Sequence, residues 1–258
     1  MTICIAAVGQ GPNNKELIVF ATDHMISHPM GQFEMTLQKY KMINDNTAAM
    51  LAGDPLIFDT LIKDCTEDDH FDGMAQKIQN SLNGVKNEAI QKQLLDRFKL
   101  DFNYLKEVLR GPIQNPFLNN MLESVVKFTL NTVVILIGFK EDEAQITEIG
   151  EVKIANVRDI SFDAVGSGSV QATNTLLFQR HSKNDSLATT IYDVYKAKRN
   201  AEVAQGVGKE TDLMVLYKSG LEKIDEARLK DLDGIYAEEL KLGRGRAAML
   251  KWDTAPVK

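Results

Sequence analysis

Thr2 stands directly behind Met1. Initiator methionine is generally removed ahead of a small residue, which leaves a threonine whose free α-amine lies beside its own hydroxyl. Such a pair is a self-contained nucleophile and base: the hydroxyl oxygen attacks a carbonyl and the amine takes the proton. An α-amine titrates near about 7.7–8.0, close to working pH, so it suits proton transfer better than a lysine. Cys4 follows at period two and shares that face of the run, but it has no built-in base and reads as a buried strand cysteine. His24 and His28 have the i, i+4 spacing that puts two metal ligands on one helical face. Pro29 and Gly31 break that segment, so the two histidines read as surface polar residues, and no metal or organic cofactor is expected. The basic run Lys241–Lys251, with Arg244 and Arg246, reads equally as a docking patch or as a helix end stopped by Gly243.

These residues need elements to hold them. Ile3–Val8 and Leu17–Thr22 are short apolar runs around a Gly-, Pro- and Asn-rich turn, which predicts a hairpin. Residues 24–36 read as irregular, and Lys39–Ile43 with Ala48–Ala52 as a second strand pair. Asp54 and Pro55 have the chemistry of a helix N-cap and first helical position, leading an apolar stripe up to Cys65. From Phe71 to Leu109 the spacing is helical, with Val85, Ala89, Leu94, Phe98, Leu105 and Val108 expected to face a core. Gly111-Pro112 stops that segment, and Pro116–Lys127 is a further helix. Thr132–Phe139 is nearly continuous and apolar, as in a strand buried on both faces. Gln145–Ile149 and Ser161–Val165 are shorter strands, Ser169–His181 and Ser186–Ala201 helices, Leu213–Tyr217 a last strand, and Leu221–Leu250 a charged helical tail. Blocks of strands alternating with blocks of helices suggest sheets packed on each other with helices outside.

Composition narrows the class. The 258 residues suit one large domain, or one domain with an appendage. The 44% hydrophobic and 26% charged content are those of a globular chain. With 30 basic against 36 acidic residues the net charge is −6, which disfavours a nucleic-acid partner. Two cysteines make no disulfide framework and suit a reducing compartment. The longest strongly apolar run, Val133–Gly138, falls far short of the roughly 20 residues of a membrane helix. No targeting leader is visible, so the chain is expected to be cytoplasmic, with no membrane partner.

The order of the motifs resembles the proteasome β-subunit group of N-terminal-nucleophile (Ntn) hydrolases. Thr2-Ile3-Cys4-Ile5-Ala6-Ala7 is similar to that family's opening strand, and Phe20-Ala21-Thr22-Asp23 to the second strand ending in Ala-x-Asp. Lys39-Tyr40-Lys41-Met42-Ile43 and Leu51-Ala52-Gly53-Asp54 resemble its lysine strand and its Ala-Gly segment. Gly166-Ser167-Gly168-Ser169 resembles its Gly-Ser-Gly turn before a helix. Lys196–Glu202, followed by Thr211-Asp212-Leu213, resembles the end of the next helix and the start of the last core strand. The resemblance covers residues 2–217.

The resemblance implies an α+β fold, a four-layer αββα sandwich of two antiparallel sheets over residues 1–220, with a helical C-terminal extension over 221–258. It implies Thr2 as nucleophile, Lys39 as the cation lowering its proton affinity, and Asp23 as the partner holding Lys39. Ser167 would hydrogen-bond around the N-terminal amine. The family's second aspartate falls at Asn200 or Glu202, with Glu202 taken as the stand-in. The backbone N–H that stabilises the oxyanion falls at Met50, where the family usually has glycine. The expected activity is threonine-type hydrolysis of a peptide or a small amide through an acyl-enzyme, in a homo-oligomer such as a ring. The alternative is a non-catalytic proteasome-like assembly or scaffold subunit. 

Overall fold

The computed structural model describes residues 2–28, 31–35, 38–111 and 115–248. The chain opens with a hairpin of β1 (Ile3–Gln10) and β2 (Glu16–Asp23), joined by a tight turn at Pro12–Asn14. A small hairpin, β3 (Met25–His28) and β4 (Gly31–Glu34), precedes the strand pair β5 (Tyr40–Asn44) and β6 (Thr47–Ala52). Asp54 caps the next turn by accepting the Leu56 N–H at 2.9 Å, with Pro55 behind it. Helices α1 (Phe58–Ile62), α2 (Phe71–Ile90), α3 (Phe102–Val108) and α4 (Pro116–Lys127) follow. Strands return as β7 (Val133–Lys140), β8 (Glu143–Ile149), β9 (Ile154–Asn156) and β10 (Phe162–Gly166). Helices α5 (Ser169–Gln179) and α6 (Leu187–Ala201), strands β11 (Thr211–Tyr217) and β12 (Gly220–Lys223), and helix α7 (Glu226–Ala248) complete the chain.

Ten of the described strands form two five-stranded antiparallel sheets, ordered β10-β1-β2-β11-β12 and β5-β6-β7-β8-β9, while β3 and β4 pair with each other alone. Side-chain alternation along each strand sorts the core. On β1, Ile3, Ile5 and Ala7 pack with Ala172 and Leu176 of α5 and with Val194 and Ala197 of α6. Cys4, Ala6 and Val8 point the other way, against Ala48 and Met50 of β6 and Ile135 and Ile137 of β7. The remaining face of the second sheet, with Ala49, Leu51, Val134 and Leu136, packs on Phe58 and Leu61 of α1 and on Phe71, Met74, Ile78 and Leu82 of α2. Both faces of β1 and β7 are thus apolar and buried, which is why those strands read as continuous hydrophobic runs.

Several expectations need correction. Residues 24–36 are not irregular throughout; β3 and β4 pair there in register from Met25↔Glu34 to His28↔Gly31. The helical stretch from Phe71 breaks after α2 into a wide π turn (Gln91–Leu95), and the chain reverses where Lys99 takes a left-handed φ of 55°. Of the six residues expected to face a core there, Leu105 is buried; Val85, Ala89, Leu94 and Val108 are part-buried. Phe98 is exposed, edge-on to Phe117 at 4.9 Å. Gly243 does not stop α7, which continues to Ala248; residues 249–251 of the basic run lie outside the described residues. The tail begins with strand β12 before its helix, and α7 lies on the α6 side through Leu229, Leu232 and Tyr236. No helix among the described residues is long and apolar enough to cross a membrane.

One half-buried charge is poorly served. Asp163 lies between Phe162 and Ala164, which face the helices, so its carboxylate turns toward Glu148 and Lys153. Its Oδ2 has no partner among the described residues, and burial, reinforced by Glu148, pushes the carboxyl from 3.8 up to about 6. A raised carboxyl pKa means the folded state binds the proton more tightly, so this group's contribution falls as pH rises from 3.8 to about 6 and is flat above. Asp163→Asn is therefore expected to stabilise the chain at pH 7 by roughly 1–3 kcal/mol, with no gain at pH 3.5. Urea denaturation at the two pH values checks it.

Candidate active site

The start of β1 is fixed from both sides. Ile3 pairs with Gly166 of β10, and the Ser167 N–H donates to the Thr2 carbonyl oxygen at 2.8 Å. On the other edge the Ile3 N–H donates to Asp23 Oδ1 at 3.0 Å, because β2 pairs with β1 in register and ends at that aspartate. Gly166 has a φ of 108°, and a Cβ there would lie 2.2 Å from the Thr2 carbonyl oxygen. Only glycine lets β10 approach this closely.

Thr2, Asp23 and Lys39 meet in one buried cluster. Lys39 Nζ donates to Thr2 Oγ1, to Asp23 Oδ1 at 2.6 Å and to the Met25 carbonyl. Those three acceptors match the three N–H bonds of an ammonium. The Thr2 hydroxyl in turn donates to Asp23 Oδ1. Asp23 Oδ2 accepts the Gly208 N–H at 2.8 Å and the Met25 N–H at 3.3 Å. Thr2, Asp23 and Lys39 are 2%, 0% and 6% exposed, so the charges act on each other with little screening by water.

A cavity of about 670 Å³ reaches Lys39. Met25, Ile26, Leu51, Gly53 and Phe58 supply much of its wall, and the Lys41–Asp59 ion pair lies on it as well. Cys4, on the same stretch of β1, points its Sγ at the Leu51 carbonyl, 3.5 Å away. Burial pushes the Cys4 thiol far up, so it stays protonated and is no competing nucleophile.

The other sequence candidates are placed differently. Ser167 contributes its backbone N–H to Thr2, while the residue itself is exposed. Glu202, at the end of α6, accepts from Lys198 at 2.7 Å and Arg199 at 3.3 Å, and no hydrogen bond joins it to Thr2 among the described residues. Asn200 bonds Thr175 and Tyr236 instead. Met50 is a correction. The Leu51 N–H donates to the Lys39 carbonyl, so by strand alternation the Met50 N–H faces β7, where Met50 pairs with Ile135. Its side chain is buried between the sheets and does not line the cavity. Gly53, one residue past the end of β6, does line the cavity.

His24 does not present itself to a metal with His28: its Nε2 faces Asp212 Oδ2 at 2.8 Å, and Asp212 also pairs with Lys223. The His28 side chain lies outside the described residues. A separate group, His181, Asp185 and Asp193, brings its ligand atoms within 4.8 Å of one another. His181 there is bound to the Val8 carbonyl at 2.9 Å and to Asp193 at 3.1 Å, tying the turn after α5 to β1 and α6.

Sequence reasoning passed over Met25, Gly208 and Lys198. Met25 and Gly208 act through backbone atoms, which leave no side-chain signature. A lysine at a helical position reads as solvated, yet Lys198 is fully buried. No protein-family model matches the chain, and no curated protein matches it.

Proposed function

We propose that this chain is a threonine-type amide hydrolase of the N-terminal-nucleophile class, similar to proteasome β-subunits. The observation that carries the reading is the Lys39 ammonium against Thr2 Oγ1, held by Asp23, at the head of β1 and beside a cavity. Removal of Met1 would free the Thr2 amine. Thr2 Oγ1 then attacks the scissile carbonyl carbon, and its proton passes to the α-amine. The amine returns that proton to the leaving nitrogen as the C–N bond breaks, leaving an ester on Thr2. Water adds to the ester, giving a proton to the amine, and the amine passes it to Thr2 Oγ1 as that oxygen leaves and the acid is released. Lys39 favours the alkoxide character that develops on Oγ1, since a nearby cation stabilises the negative form. The Gly53 N–H is the backbone donor we assign to the oxyanion in place of Met50's.

The three apolar clusters support a four-layer αββα arrangement over residues 1–220, with 221–258 as an extension. The substrate would be a peptide or a small amide, with the chain acting in the cytoplasm as a homo-oligomer such as a ring. A second reading, a non-catalytic scaffold subunit, is favoured by the 2% exposure of Thr2. Intact mass with a β-lactone probe separates the two. The hydrolase is expected to lack one methionine and to carry one adduct on Thr2, absent in Thr2→Ala. A retained methionine with no adduct selects the scaffold.

A further inference from the structure

Behind Asp23 lies a loop that the chemistry above does not use. Residues 202–210 leave the end of α6 and return to β11. Three consecutive amides of this loop are spent on two carboxylates. Gly208 N–H donates to Asp23 Oδ2 at 2.8 Å, while the Lys209 N–H and the Glu210 N–H (3.1 Å) donate to Glu34 Oε1. Gly208 fits because a Cβ there would lie 2.5 Å from Glu34 Oε1 and 3.2 Å from Met25. The loop thus reaches both Asp23 and the β3–β4 hairpin, whose Met25 and Ile26 wall the cavity.

Lys198 holds this loop at two points. Its side chain is fully buried on α6, and its Nζ donates to Glu202 Oε1 at 2.7 Å and to the Lys209 carbonyl at 2.5 Å. Those two acceptors bracket the loop, one at each end. Burial pulls the Lys198 ammonium below the ordinary lysine range, while Glu202, and beyond it Asp23, oppose that shift. A buried lysine is costly to keep, and a surface-facing helix position would be met by any polar residue. Here the ammonium has a specific task that a neutral side chain cannot perform, since it must satisfy a carboxylate and a carbonyl together.

We infer that Lys198 is a positioning residue for the Thr2 site: through Glu202 and the Lys209 carbonyl it sets the 202–210 loop so that the Gly208 amide orients Asp23, and through Asp23, Lys39. The inference rests on the hydrolase reading and gives Glu202 a role through the loop, with no contact to the substrate. Lys198→Met keeps the stem and removes both bonds. Hydrogen exchange of segment 203–210 is expected to rise about tenfold or more while the sheets stay protected. The β-lactone acylation rate at saturation, kinact, is expected to fall about 10- to 100-fold, with a smaller change in the inhibitor's KI, because Leu51, Gly53 and Phe58 of the cavity wall lie outside the loop's contacts.

A folded Lys198→Met chain with unchanged loop exchange, or with wild-type kinact, overturns the assignment. If that variant does not fold, Glu202→Gln carries the same two readouts with the same expected directions. A wild-type chain that takes no lactone overturns the hydrolase reading instead. The exchange of Gly208 in Lys198→Met then decides by itself whether Lys198 orders the loop.

Discussion

Lys39→Met is expected to abolish acylation of Thr2, lowering its rate by at least about 10³-fold. Methionine keeps the length and the apolar stem but removes all three N–H donors, and with them the only cation bonded to Thr2 Oγ1 among the described residues. The hydroxyl then faces Asp23 without a counter-charge, which raises the cost of forming an alkoxide at Oγ1. Stability is expected to fall as well, by about 3 kcal/mol, because the fully buried Asp23 carboxylate loses its ion-pair partner. Its bonds from the Ile3 and Gly208 amides soften that loss without replacing the charge. Lys39→Arg should not restore the rate, since a planar fork cannot reach Thr2 Oγ1, Asp23 and the Met25 carbonyl in the same tripod. Acylation of Lys39→Met within tenfold of wild type would remove the lysine from the mechanism.

Gly166→Ala should be nearly as damaging although it touches no reactive group. The φ of 108° is strained for alanine, at about 1–3 kcal/mol. The added methyl would also lie 2.2 Å from the Thr2 carbonyl oxygen, so β10 and the head of β1 must part. That parting loosens the Ser167 N–H bond to Thr2 and moves Oγ1 away from Lys39. The expected result is a loss of about 2–4 kcal/mol and a fall in acylation of about 10²-fold. Gly220→Ala serves as the comparison, because its φ of 136° is strained too but a Cβ there meets nothing within 4 Å. That variant should lose stability from strain alone and acylate normally. Denaturant midpoints and lactone kinetics on the pair separate strain from displacement.

Much of this architecture could be read from residue order. Runs such as Ile3–Val8 and Thr132–Phe139 announce strands because both of their faces are buried. Helices with strong caps, such as the one starting at Pro116 behind Asn115, begin where the residue types say they should. The misses have physical reasons. The β3–β4 hairpin carries Pro29 and Gly31 and is partly exposed, so it has no apolar alternation to notice. Strand β12, Gly-Leu-Glu-Lys, is an edge strand held by pairing with β11 and not by burial. Thr2 was legible from its place behind Met1, and Asp23 and Lys39 from the resemblance of their segments to the motifs of Ntn hydrolases. Met50 was misassigned because the direction of an amide depends on strand phase, which becomes known only once Leu51 is seen to bond Lys39. Lys198 was invisible because its i, i+4 pair with Glu202 reads as a solvated helix pair, and the Lys209 carbonyl that buries it is brought up only by tertiary folding.

The bond from Gly208 to Asp23 joins residues 185 positions apart. Synthesis runs from Thr2 toward Gly208, so Thr2 emerges from the ribosome long before the amide that steadies Asp23. Ser167, which grips the Thr2 carbonyl, also arrives late. Until Gly208 has been made, Asp23 lacks that amide, so the Thr2 cluster is completed only with the segment between α6 and β11. On the hydrolase reading, reactivity is timed by the order of the polypeptide itself.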